Sequence, residues 1–111
     1  MTAFIVARVD VRDRERYAEY TLRTPRVVAR YGGRFVARGG ERVVLEGEDD
    51  GLRLVVIEFP SLDHAQAFYK SPEYAAIKRF REGAGEAQLV AIDGYPGEEW
   101  EAALAASEKL G

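Results

Sequence analysis

The sequence predicts one α+β domain with elements in the order βαββαβ: a four-stranded antiparallel sheet carrying both helices on one face. Three observations lead there. Residues 3–11 and 52–59 alternate with period two and are rich in β-branched residues. The segments that follow each of them repeat their apolar residues at helical spacing. The chain has 111 residues, enough for one core and too few for two.

In the first strand Ala3, Ile5, Ala7, Val9 and Val11 share one face, and Phe4, Val6, Arg8 and Asp10 the other. Asp13 stands as the N-cap of an amphipathic helix to about Tyr31, whose apolar stripe is Tyr17, Tyr20, Thr24, Val27/Val28 and Tyr31. Pro25 removes a helical hydrogen bond, so a kink or break is expected at Thr24-Pro25. Gly32-Gly33 ends this helix. Residues 34–38 read as the second strand, with Phe35 and Ala37 on one face and Arg34, Val36 and Arg38 on the other. Gly39-Gly40 is a bulge or turn, residues 42–48 continue as extended chain, and Asp49-Asp50-Gly51 signals a hairpin. The third strand, residues 52–59, stops at Pro60.

Ser61 then caps a helix to about Tyr69, and Ser71-Pro72-Glu73 restarts one that runs to about Glu82, each with an acid in its first turn. Residues 88–93 form the last strand. Residues 98–109, rich in alanine and glutamate with Trp100 and Leu104 four apart, form a C-terminal helix. The division is therefore 1–95 for the domain and 96–111 for a helical extension. This order is that of the ferredoxin-like fold.

Composition narrows the function. No apolar run approaches the roughly 20 residues of a membrane span, and the N-terminus lacks the pattern of a signal peptide. With no cysteine and one histidine, neither a disulfide framework nor a metal site is expected. No glycine-rich phosphate loop or nucleophile elbow is present, and no cofactor is expected. A net charge of −3 with interspersed arginines argues against a nucleic-acid partner, and the third strand lacks the stacking aromatics of an RNA-recognition motif. A cytoplasmic location fits these features. The thirteen arginines against three lysines reflect base composition for the most part, with some gripping carboxylates.

The sheet's second face would carry Phe4, Val6, Val36, Leu54 and Val56, with Val90 and Ile92. That exceeds the roughly 300–600 Å² apolar patch usual on a soluble monomer, so a homodimer packed sheet to sheet is expected.

Five ordered motifs make a resemblance specific: Tyr31-Gly32-Gly33-Arg34, Arg38-Gly39-Gly40, Glu46-Gly47, Glu58-Phe59-Pro60-Ser61 and Ser71-Pro72-Glu73-Tyr74. Over about residues 3–95 the chain resembles a bacterial family of unknown function, domain-of-unknown-function family 1330, of the dimeric α/β-barrel superfamily that includes the antibiotic-biosynthesis monooxygenase-like proteins. The resemblance implies a ferredoxin-like protomer and a barrel-forming homodimer, and no established reaction. Relatives in the superfamily imply a small organic ligand and cofactor-free oxidation, isomerisation or decarboxylation.

Arg8 and Glu58 interrupt apolar strands and are assigned to the open face, with Arg34 and Arg38 beside them. Such a set can hold an anionic or enolic molecule, with Glu58 as base; equally, it can be an ion-pair network completing an interface. His64, in a helical first turn, is a candidate general base or an ordinary solvent-facing residue. Tyr17 and Tyr74 are core tyrosines that would line a pocket if the kinked first helix stands off the sheet. Two functions stay open: a small-molecule-binding homodimer capable of cofactor-free chemistry, and a non-catalytic dimeric module.

Overall fold

The computed structural model describes residues 2–111. Its strands are β1 (Ala3–Val11), β2 (Arg34–Arg38), β3 (Arg53–Phe59) and β4 (Gly85–Asp93). They form one sheet in the order β2-β3-β1-β4, with every neighbouring pair antiparallel. Helices α1 (Arg14–Arg30), α2 (Leu62–Lys70) and α3 (Pro72–Lys78) cover one face, and α4 (Gly97–Glu108) follows β4. This is the α+β, ferredoxin-like arrangement the order of elements predicts. No helix among the described residues is long and apolar enough to cross a membrane.

The caps are the ones the sequence signals. Asp13 accepts from the Arg16 amide at 3.1 Å, Ser61 from the His64 amide at 3.1 Å, and Ser71 from the Tyr74 amide at 3.0 Å with Pro72 opening α3. Gly32, at φ +81°, closes α1 in a left-handed turn. The Gly33 amide reaches the Val28 carbonyl and the Gly32 amide that of Ala29, the paired bonds of a glycine-terminated helix.

Register settles the faces. Ile5 pairs with Ile57 and Ala7 with Val55 on the helix side, whereas Phe4 pairs with Glu58, Val6 with Val56 and Arg8 with Leu54 on the open side. The core centres on Phe59, Phe68, Tyr74 and Val28, none more than 1% exposed. Phe68 joins two of these rings, at 5.2 Å from Phe59 and 4.8 Å from Tyr74, contacts that add about 0.5–1.5 kcal/mol each beyond burial.

Three expectations need correction. Helix α1 runs unbroken through Pro25. The carbonyl that Pro25 leaves without a donor is that of Thr21, and it is taken by the Thr24 hydroxyl at 3.1 Å and by the Arg38 guanidinium. Replacement donors thus offset the lost hydrogen bond that would break the helix. Second, residues 42–48 are not strand. The whole 39–52 connection is irregular, and the predicted turn within it holds by Asx bonds, Gly51 N–H to Asp49 at 2.8 Å and Leu52 N–H to Asp50 at 3.0 Å. Third, a β-bulge between Phe35 and Ala37 shifts the register, so that Ala37 pairs with Val56 and Arg38 with Val55. Val36 is the extra residue, and the bulge carries Arg38 to the helix side of the sheet.

Candidate functional site

Of the charges expected to converge on the open face, Arg34 and Glu58 meet, and Arg8 and Arg38 stand apart from them. Glu58 pairs with Arg34 at 3.3 Å, and both remain partly exposed. Arg8 stands opposite Leu54, four residues along β1 from the Phe4 that faces Glu58, about 13 Å at the usual rise per residue. It pairs instead with Asp50 from the 39–52 loop. His64 sits exposed in the first turn of α2, its Nδ1 2.6 Å from the Ser61 hydroxyl. These residues make separate surface pairs rather than one site.

A different cluster lies under α1. A groove of about 540 Å³ opens between α1, the end of β1 and the 39–52 loop, and an inner cavity of about 30 Å³ lies beside it between α1 and the sheet. Val9, Tyr17, Thr21 and Arg53 line both. Further in, Tyr20, Arg38 and Arg81 supply the polar lining, against apolar residues such as Phe35 and Leu89. Tyr17 lines this space, with α1 unbroken at Pro25. Tyr74 stands one layer behind, its hydroxyl 2.8 Å from that of Tyr20.

Each cation arrives by a separate route. Arg53 pairs with Val9 and therefore shares the core face of β3 with Val55, Ile57 and Phe59. Its guanidinium lies 5.7 Å from the Tyr17 ring and against Gly39, where a Cβ would come within 2.3 Å of it. Gly39 is also at φ +65°, a left-handed conformation that favours glycine, and a side chain there would have to displace the Arg53 guanidinium. Arg81 follows α3 and is 8% exposed, with its guanidinium 5.4 Å from the Tyr20 ring. Arg38 lies 4.3 Å from the Phe35 ring and is already engaged with Thr21 and Thr24. The Nε atoms of Arg53 and Arg81 are buried without a hydrogen-bond partner.

The phenols keep their protons. Burial raises the pKa of Tyr17, with Arg53 and Arg81 pulling it back in part. Burial first and Tyr74 second raise that of Tyr20 further. At neutral pH guanidinium and phenol groups thus stand around the inner cavity, although most of its surface is apolar. Chemically, it can hold or stabilise negative charge, and no carboxylate or imidazole lines it.

The model of the family described as domain of unknown function, DUF1330, matches residues 2–95. The chain belongs to the DUF1330 family. The match takes in the sheet, the three covering helices and every cavity residue, and it leaves out α4. No curated protein matches the chain significantly. Among solved structures, a protein of unknown function from Rhodopseudomonas palustris is similar at 21% identity and a TM-score of 0.69, over 86% of this chain and 83% of that one. The cofactor-independent oxygenase SnoaB from Streptomyces nogalater is similar at 16% identity and 0.59, over 86% and 94%. A dimeric protein of unknown function with a ferredoxin-like fold from Bacteroides fragilis is similar at 13% and 0.50, over 84% and 96%. These likenesses establish the fold.

For this DUF1330 chain, sequence reasoning passed over Arg53, Arg81 and Tyr20 as cavity residues. A signal existed for both arginines. Arg53 is in phase with the apolar face of its strand, and Arg81 lies four residues beyond Ile77 and seven beyond Tyr74, in phase with the buried stripe of α3. A cation in a core phase marks a cavity or an ion pair.

Proposed function

We propose that the protein is a homodimer joined sheet to sheet, in which each protomer binds a small organic molecule between α1 and the sheet, and that any reaction there proceeds without a cofactor. The groove and the inner cavity beside it carry this reading: they form a concave region with apolar walls inside and polar groups toward its mouth. Residues 2–95 supply the whole site; α4 is an extension of it.

The dimer is supported by the open face and by shape. Leu54, Val90 and Ile92 are 40%, 48% and 55% exposed there. The radius of gyration is 16.6 Å, against roughly 13 Å for a spherical domain of this length. Helix α4 buries no residue, so it extends the protomer without adding to its core. The relative from Bacteroides fragilis is described as dimeric, and SnoaB as a cofactor-independent oxygenase. Arg34–Glu58 and Arg8–Asp50 would then act as interface struts at the edges of the apolar face. A second reading, a dimeric binding module without turnover, is favoured by the absence of a carboxylate or imidazole from the inner lining.

Native mass spectrometry of gently purified protein tests both halves. The expected spectrum is a dimer carrying extra mass that denaturation releases. A monomer would overturn the sheet-to-sheet pairing. A dimer that takes up no small molecule under any condition would remove the binding half.

A further inference from the structure

We infer that the inner cavity is a carboxylate subsite, in which Arg53 and Arg81 grip the acid head of an organic ligand whose body lies in the outer groove. This rests on the reading of groove and cavity as one ligand site.

The arginines divide in a way that points to a missing anion. Arg8, Arg12, Arg23, Arg30, Arg34 and Arg42 all have carboxylate partners, and those pairs lie toward the surface. Among the described residues seven arginines have none: Arg14, Arg16, Arg26 and Arg79 are exposed to water, whereas Arg38, Arg53 and Arg81 line the inner cavity, Arg81 buried and Arg53 partly so. Arg38, the third cation there, spends its guanidinium on Thr21 and Thr24. A buried cation without a counter-charge is costly, and an unpaired buried N–H adds to that cost. Here the Nε atoms of Arg53 and Arg81 are in that position.

Size and shape narrow the anion. The cavity holds about 30 Å³, room for roughly two water-sized groups. That matches the two oxygens of a carboxylate, which the guanidinium fork binds through parallel N–H donors. The protonated Tyr17 hydroxyl, influenced by both arginines, adds a neutral donor on the wall shared with the groove. The groove beyond has Val11 and Leu52 in its wall beside Asp10, Arg14 and Arg42, a mixed lining that suits a body with both apolar and polar parts.

Calorimetric titration of the full chain with benzoate, benzamide and inorganic phosphate is the test. Benzoate is expected to bind at least about tenfold more tightly than its neutral amide, the discrimination one charge-assisted contact supports. Arg53→Gln and Arg81→Gln are each expected to remove that preference; Arg81→Lys keeps charge without the fork and should restore part of it. If Arg81→Gln does not fold, Arg81→Lys carries the comparison. Equal binding of benzoate and benzamide, no benzoate binding, or an unchanged preference in the variants would overturn the carboxylate subsite. Phosphate binding more tightly than benzoate would also overturn it, in favour of a phosphoryl anion. The ligand site itself stands or falls separately, on whether the native spectrum shows bound mass of any charge.

Discussion

On the helix side of the sheet, Ile5, Ile57 and Phe59 are 2%, 6% and 1% exposed; on the opposite face of the same or a neighbouring strand, Leu54, Val90 and Ile92 are 40% or more exposed. The strands are apolar on both faces. What separates the faces is chain connectivity, because α1, α2 and α3 fold back over one side only. The polar groups divide in the opposite sense. The apolar open face is edged by matched ion pairs, whereas the buried face holds cations without acids. Exposed pairs contribute about 0–1 kcal/mol, so they mark orientation more than stability. A buried guanidinium has to be accounted for locally. An open face therefore asks for a partner protein, and an uncompensated buried face asks for a ligand.

Substitutions on the two faces should break this contrast most clearly. Phe68→Ala empties the centre of the aromatic cluster and is expected to cost about 3–5 kcal/mol in urea denaturation. Val56→Glu, on the opposite face, is expected to leave the far-ultraviolet circular dichroism spectrum unchanged and to halve the mass measured by analytical ultracentrifugation. A Val56→Glu protein that stays dimeric would place the interface elsewhere.

A smaller effect tests the repaired proline. Arg38→Met leaves the Thr21 carbonyl with only the Thr24 hydroxyl and is expected to cost about 1–2 kcal/mol. Adding Pro25→Ala returns a backbone donor to that carbonyl, so the double variant should regain most of the loss. Additive losses would show that Arg38 acts by packing on Phe35 instead.

The smallest effect is a slope. Burial, and then Tyr74, hold the Tyr20 proton above its ordinary pKa of 10.0. Above that pH the unfolded chain has released a proton the native state retains, so stability present below about pH 10 declines as the pH rises further. Tyr20→Phe should make that alkaline decline shallower. An unchanged slope would mean that the Tyr20–Tyr74 pair is open to solvent.

The caps at Asp13, Ser61 and Ser71 were legible because capping is local: a side chain satisfies amides two or three residues away. The alternation in β1 and β3 gave the two faces for the same reason. Arg38 was misplaced by one bulge, since a single inserted residue reverses every side chain after it. The pairing of Arg8 and Glu58 failed on register: parity put them on one face, but position along the strands set them at opposite ends. Arg53 and Arg81 were visible only as cations in core phases.

The sequence by itself determined the order of elements, their caps and the inward face of each regular strand, because these depend on contacts within a few residues. Tertiary structure alone decided which arginines meet, that α1 continues unbroken through Pro25, and that a cavity lies beneath it. Those outcomes depend on side chains brought together from β2, β3 and the turn after α3, and no local pattern encodes the distance between them.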